Sequence, residues 1–178
     1  MILLGSVSGY IVLAVILYFA LRAKCKKSAI FKAPKRKRIF YLLSFTWGLP
    51  TVIAGAAVAL VLRLKGYKPK KYGWVWCFEI PNINWGLSLG LFIITPPGYE
   101  SVHMHEHGHC IQNARFGFFM PLIVSLPSVM RFWYRAFRKK RGKACTADYD
   151  AIWFEQSATK SGEALIRGLS GADGSKAL

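Results

Sequence analysis

Two long uncharged stretches of apolar residues constrain this chain more than any other feature. Residues 1–21 contain no charged side chain, and residues 39–62 contain none over 24 positions. A helix of about 20 residues crosses a hydrocarbon core of about 30 Å, so either stretch is long enough to do so. Because 53% of the chain is hydrophobic, its composition also suits a surface that partly faces lipid. The sequence therefore predicts a membrane-embedded protein.

The basic residues are concentrated beside these apolar stretches. The chain has 25 Lys and Arg against eight Asp and Glu, and 21 of the bases lie within residues 22–38, 63–71 and 131–143. Basic segments next to apolar spans are typical of cytoplasmic flanks that contact anionic lipid head groups. No nucleic-acid-binding module is recognisable, so we expect anionic lipids, and not nucleic acid, as the partner of these clusters. A protein partner or an oligomer stays open.

The order of apolar and basic segments predicts a topology. Residues 1–21 have no base in front and many behind, which favours an uncleaved anchor with its N-terminus outside. Gly48-Leu49-Pro50 interrupts the second stretch and should kink it or split it into a hairpin. A straight crossing would put the bases of residues 63–71 outside, against the positive-inside rule, whereas a re-entrant hairpin would keep them in the cytoplasm. We therefore favour a site on the cytoplasmic side.

Downstream of the second stretch the sequence predicts a small α+β domain. Residues 85–94 alternate at period two and predict one strand, which ends at Pro96-Pro97-Gly98. A polar helix should follow from Ser101 to about Phe116, and another from about Ala151 to Gly168. The expected fold class is mainly α with a small β element. The predicted domains are an anchor with a basic linker (1–38), a membrane-associated domain (39–168) and a flexible tail (169–178).

All four histidines of the chain lie within seven residues, at positions 103, 105, 107 and 109. Residues four apart share one face of a helix, so His105 pairs with His109, and His103 pairs with His107 on nearly the opposite side. Only the first pair has Glu106 in the position of an HExxH pattern, in which two imidazoles bind zinc and the glutamate activates water. We therefore predict His105 and His109 as Zn²⁺ ligands and Glu106 as the general base. His103 and His107 should lie behind the ligands or face solvent.

A catalytic zinc ion needs a third protein ligand, and no histidine remains to provide it. Glu155 is the first choice, because it lies within the helical pattern IWFEQSAT and its apolar neighbours can pack while it projects from a rigid element. Asp148 and Asp150 precede that helix, where acidic residues more often serve as N-caps. The acids that follow His109 are Asp148, Asp150, Glu155, Glu163 and Asp173.

HExxH also occurs by chance on polar surface helices. Against that interpretation stand the single histidine cluster, the small Gly108 that permits close helix packing, the preceding strand and the downstream acid. These features favour a metal site. The sequence offers four candidates for the donor that would stabilise an oxyanion, and they are Tyr134, Tyr149, Arg131 and Arg135.

Five strings distributed along the chain carry a family resemblance. They are FTWGLP at residues 45–50, NWGLSLG at 84–90, HEHGHCIQN at 105–113, MPLIVSLPSVMRFWYR at 120–135, and YDAIWFE at 149–155 followed by Ala158-Thr159. Together they resemble a family of small bacterial membrane proteins with a minimal zincin core. The resemblance covers about residues 40–162 and implies that the first 35 residues are an added anchor. It also implies a location in the bacterial inner membrane.

The arrangement is more distantly similar to that of gluzincins, in which a glutamate on a later helix is the third zinc ligand. That similarity supports Glu155. Gluzincins commonly have an aspartate four residues further on, where this chain has Thr159, so the carboxylate that contacts a ligand histidine in that family is missing here. Gln156 replaces an expected glycine, and Phe118 an expected proline. In zincins an edge strand beside the HExxH helix pairs with extended substrate, a role that residues 85–94 would fill.

The sequence therefore predicts a membrane-bound zinc metallopeptidase that hydrolyses a polypeptide with zinc-activated water. An alternative is a non-catalytic membrane component that uses the zinc fold as a scaffold and its basic clusters to bind lipid or a partner. A third hypothesis is a metal-handling protein, which would add His103, His107 or Cys110 to the ligands.

Overall fold

The structure, a computed structural model, describes residues 2–27, 37–143 and 152–174. These residues are mostly helical, with one small mixed sheet, which confirms the predicted α+β class. The helices are α1 (Ile2–Lys27), α2 (Lys37–Phe45), α3 (Leu49–Leu64), α4 (Glu100–Phe116), α5 (Leu126–Lys140) and α6 (Trp153–Gly174). The strands are β1 (Lys70–Tyr72), β2 (Val75–Glu79), β3 (Leu87–Leu89) and β4 (Phe92–Thr95).

The chain divides into two compact units. The first comprises Met1–Ala29 and Phe119–Gln156 and holds α1, a π-helical turn at Pro121–Ser125, α5 and the first turn of α6. Within it, the Tyr10 ring stacks on Phe119 with the ring centroids 5.2 Å apart. The second unit comprises Ile30–Phe118 and Ser157–Leu178. It holds α2, α3, the sheet, α4 and the remainder of α6.

The sheet differs from its prediction. Its strand order is β1-β2-β4-β3, with β2 and β4 parallel and both outer pairs antiparallel. Residues 85–94 do not form one strand, because Leu89 pairs with Phe92 across a two-residue turn that begins at Gly90. Gly90 has a φ of +64°, a conformation that glycine adopts without steric cost and that suits a tight hairpin turn. The prediction of a single strand was wrong, and β3 is one edge of the sheet.

The break predicted at Gly48-Leu49-Pro50 is confirmed. α2 ends at Phe45, α3 begins at Leu49 with proline in its first turn, and the two helix axes are bent by 89°. Proline suits that position, since the amide it lacks would have no partner within the helix. Among the described residues no single helix is both long and apolar enough to cross a membrane. Two bent helix pairs meet that criterion jointly, and α2 with α3 is one of them.

Two glycines bring α4 and α6 into close contact within the second unit. A Cβ atom at Gly108 would lie 1.9 Å from the carbonyl oxygen of Ala158, and one at Gly162 would lie 1.8 Å from that of Met104. No side chain fits at such distances, so the backbones of the two helices approach each other only because both positions are glycine. The packing role expected for Gly108 is confirmed, and this crossing fixes α6 against the histidine helix.

Helix α4 begins at Glu100 and ends at Phe116, as predicted to within one residue, but its surroundings are unusual for so polar a helix. Eleven of its 17 residues are buried, among them three histidines, a glutamate, a glutamine and an asparagine. One side packs on a core that includes Phe40, Val75 and Ile93. Because burying unpaired polar groups costs free energy, they are expected to have partners or a functional use.

Candidate metal centre

His105 and His109 are brought face to face on one side of α4. Their Nε2 atoms are 3.1 Å apart, and the two rings are nearly perpendicular, with an angle of 87° between their planes. Two nitrogens that each bind one zinc ion at 2.0–2.1 Å in a tetrahedral site lie about 3.3 Å apart. The spacing between the two rings is therefore close to the one that a shared tetrahedral metal ion requires.

The other ring nitrogens of these histidines have neutral partners. Nδ1–H of His109 donates to Oε1 of Gln112, three residues later on α4, at 2.8 Å. Nδ1 of His105 is hydrogen-bonded to the hydroxyl of Thr159 on α6, also at 2.8 Å. A proton on Nδ1 places the lone pair on Nε2, which is the tautomer that a metal ligand needs. The contact with Gln112 fixes that proton on His109, whereas the hydroxyl of Thr159 can accept from His105 or donate to it. The partner that positions each ring is thus an amide or a hydroxyl and not a carboxylate.

Glu155 is the third side chain that could bind a metal ion together with this pair. It lies in the first turn of α6, one helical turn before Thr159, and is fully buried. The Ser128 hydroxyl donates a hydrogen bond of 2.6 Å to its Oε1. One potential ligand atom each from His105, His109 and Glu155 lie within 4.8 Å of one another, and together these side chains could hold a metal ion.

The side chain of Glu106 lies between α4 and the segment that leads into the edge strand β3. Its side chain is buried and packs against the backbone at Gly86, just before the edge strand β3. A Cβ atom at Gly86 would lie 2.3 Å from Oε1 of Glu106, so the carboxylate occupies space that only glycine leaves open there. The predicted general base thus lies beside the start of the predicted substrate-binding edge.

His103 and His107 face the sheet, so of the two predicted alternatives the solvent-facing one is wrong. Both are buried, at 5% and 0% exposure. Nε2 of His107 accepts a hydrogen bond from the Trp74 amide at 3.2 Å, and burial lowers the pKa of this imidazole to about 4. Nδ1–H of His103 donates to the Tyr99 carbonyl at 2.7 Å. These two histidines hold α4 to its neighbours in the second unit.

Three residues that contact the predicted site residues were not identified from the sequence. Gln112 follows His109 by three positions, a helical spacing that could have indicated the contact. Ser128 and Gly86 gave no such signal, because their contacts join residues far apart in the chain. Of the other candidates, Asp148, Asp150 and Tyr149 lie outside the described residues. Tyr134 is an exposed side chain of α5 whose hydroxyl accepts a hydrogen bond from Arg138, and Arg131 and Arg135 are half-buried on the same helix.

The chain matches no protein-family model, no curated protein and no solved structure. The resemblance to a family of small zincin-like membrane proteins therefore stays a prediction.

Proposed function

We propose that the protein is a membrane-associated zinc metallopeptidase whose ion is held by His105, His109 and Glu155. The observation that carries the proposal is the approach of these three ligand groups, with the two Nε2 atoms 3.1 Å apart. Two imidazoles and one carboxylate form a donor set found in catalytic zinc sites, where the fourth position is left for water. A site with only structural purpose usually has four protein ligands instead.

The donor chemistry also favours zinc over harder ions. Magnesium and calcium prefer sites built from oxygen ligands, whereas imidazole nitrogen suits zinc and the later transition metals. Gln112 and Thr159 hold the two rings by their Nδ1 atoms, which supports binding through Nε2. Ser128 restrains the carboxylate of Glu155 from α5. Each proposed ligand therefore has a partner that orients it.

Glu106 is the proposed general base. Zinc, when bound, would supply Lewis-acid polarisation and lower the pKa of a water molecule at the open position to about 7. The carboxylate of Glu106 would accept a proton from that water and later deliver it to the nitrogen of the leaving amine. Its packing against Gly86 limits its motion, and this restraint supports a role that depends on position.

The edge strand supports a polypeptide substrate. β3 pairs with β4 on one side only and is the last strand of the sheet. An edge strand presents main-chain amides and carbonyls to which an extended peptide can add as a further strand. Because Gly86 immediately precedes β3 and contacts Glu106, a peptide bound there would run past the proposed base.

A paired measurement of metal content and cleavage tests this proposal. The purified full chain in detergent is incubated with a peptide library, and products are identified by mass spectrometry. We expect Glu106→Gln to retain one zinc per chain and to lose cleavage, because the amide cannot accept the proton. Glu100→Gln, on the same helix but exposed and bonded to the Tyr72 hydroxyl, is the matched control and should keep both. Full cleavage by Glu106→Gln would refute the mechanism.

The non-catalytic alternative makes the opposite prediction. A scaffold that binds lipid or a partner would be unaffected by Glu106→Gln but would lose its function when the bases of residues 131–143 are reversed in charge. The metal-handling alternative is less well supported by the geometry. Nε2 of His107, which this alternative would add to the ligands, is already bonded to the Trp74 amide.

A further inference from the structure

Helix α5 turns its apolar side outwards. None of its residues is buried. Its apolar side chains at successive helical spacings of three and four are all at least half exposed, and Trp133 reaches 66%. Such positions lie on one face of a helix, so together they form a continuous apolar stripe. The stripe consists of Leu126, Val129, Met130, Trp133 and Phe137.

The opposite face of α5 carries the arginines. Arg131, Arg135 and Arg138 are half-buried, so they are less exposed than the apolar stripe. An amphipathic helix of a water-soluble protein has the reverse arrangement, with its apolar side buried and its charges in water. An exposed apolar stripe of this length indicates an apolar partner.

We propose that α5 lies in the boundary between head groups and acyl chains of an anionic bilayer, with the stripe immersed. Bases occupy five of its last ten positions, at residues 131, 135, 138, 139 and 140. A segment with so many charges does not cross a hydrocarbon core, so the helix lies along the surface. Trp133 and the neighbouring Tyr134 are residue types that favour this boundary. Exposed bases at its C-terminal end provide the charge that anionic head groups attract, and they are Lys139, Lys140, Arg141 and Lys143.

A second apolar surface in the same unit favours lipid over a protein partner. Helix α1 exposes Val12, Ile16 and Phe19 to between 57% and 59%. Two helices of one compact unit that both expose large apolar side chains suit an extended apolar medium better than a single protein contact.

The position of α5 also bears on the proposed metal site. Ser128, in the first turn of α5, is the residue that donates to Glu155. A helix held in the membrane surface would hold Glu155 close to that surface. The favoured substrates are then polypeptide segments that lie at the membrane surface, a step that rests on the proposed function. The lipid contact itself does not depend on catalysis and is tested without it.

Depth-dependent quenching of tryptophan fluorescence tests the lipid contact. The full chain is reconstituted into vesicles that contain phosphatidylglycerol and lipids with brominated acyl chains, which quench only nearby tryptophans. We expect the Trp133→Phe variant to lack the part of the tryptophan emission that the brominated chains quench in the wild type. The control Trp74→Phe removes a tryptophan that is only 6% exposed, and it should lose unquenched emission instead.

Two outcomes would overturn the lipid contact. Quenching of Trp133 by aqueous acrylamide, and not by the brominated chains, would place the helix in water. Protection of Trp133 from both quenchers would mean that a second copy or another protein covers it.

A charge-reversal variant tests the preference for anionic lipid. Replacing Lys139, Lys140 and Arg141 by glutamate should abolish the increase in Trp133 quenching that phosphatidylglycerol produces over phosphatidylcholine alone. Lys65→Glu with Lys68→Glu, at exposed positions outside α5, is the control and should keep that increase. Equal quenching of the wild type in both lipids would refute the anionic preference.

Discussion

Replacing Gly162 by alanine should separate α6 from α4 and thereby weaken metal binding. A Cβ atom at this position would lie 1.8 Å from the Met104 carbonyl oxygen, which belongs to the backbone of α4. Real Cβ contacts are essentially never shorter than 3.0 Å, so the helices must move apart by about 1.2 Å, a strain typical of overpacked sites. Thr159, one turn earlier on α6, would move with them.

The structure sets the size of the expected effects. Overpacking of a close contact costs about 1–3 kcal/mol in unfolding free energy. A displacement of about 1.2 Å would stretch the 2.8 Å contact between Thr159 and His105 beyond hydrogen-bonding range. Loss of a partner that orients a ligand histidine typically weakens metal affinity about 10–100-fold. We therefore expect both a less stable protein and a weaker zinc site.

The matched control is Gly168→Ala on the same helix. No atom lies within 4 Å of a Cβ at Gly168, so this change should stabilise the helix by about 0.5–1 kcal/mol and leave zinc affinity unchanged. Thermal unfolding and competition with a fluorescent zinc chelator, both in detergent, measure the two quantities. If Gly162→Ala behaved like Gly168→Ala in both assays, the close crossing of α4 and α6 would be refuted.

Three further substitutions test individual contacts. Thr159→Val removes the hydroxyl that holds His105 and should weaken zinc affinity about tenfold or more in the same competition assay; unchanged affinity would contradict the orienting role. Gly86→Ala would displace the carboxylate of Glu106, so kcat should fall while zinc content, measured by mass spectrometry, stays at one per chain. His107→Leu leaves the buried Trp74 amide without its acceptor and should cost about 1–3 kcal/mol in unfolding free energy. Loss of zinc from that variant would mean that the wrong histidine pair was assigned to the metal.

Local patterns in the sequence were sufficient to predict the helices that carry the site. The extent of α4 and the pairing of His105 with His109 follow from helical periodicity, which depends only on neighbouring residues. The bend before α3 follows equally from Gly48 and Pro50. Helix α6 begins near its predicted start but continues to Gly174, beyond the glycine at which it was expected to end.

The sheet was predicted poorly because its strands are short. The alternation of apolar and polar residues does not define where such short strands begin and end. An alternation at period two is compatible with one strand or with a hairpin, and Gly90 decides between them only through its backbone conformation. β1 and β2 were missed. β1 has three residues, two of them lysines that were interpreted as part of a basic flank.

The approach of Glu155 to the histidines could be proposed from the sequence but not established by it. It depends on the crossing of α4 and α6, which requires two glycines to contact residues at least 50 positions away in the chain. Whether His103 and His107 are buried or face solvent could not be decided from the sequence for the same reason. A helix with polar residues all round looks exposed until its partners on every side are known.

X-ray absorption at the zinc edge tests the proposed metal site most directly. For the zinc-loaded full chain the account predicts two imidazole nitrogens at about 2.0–2.1 Å and oxygen ligands at about 2.0–2.2 Å, with no sulfur. His109→Ala should reduce the imidazole count to one, whereas His107→Leu should leave it at two. A sulfur ligand at about 2.3 Å, or a spectrum that His109→Ala does not change, would contradict a site built from His105, His109 and Glu155.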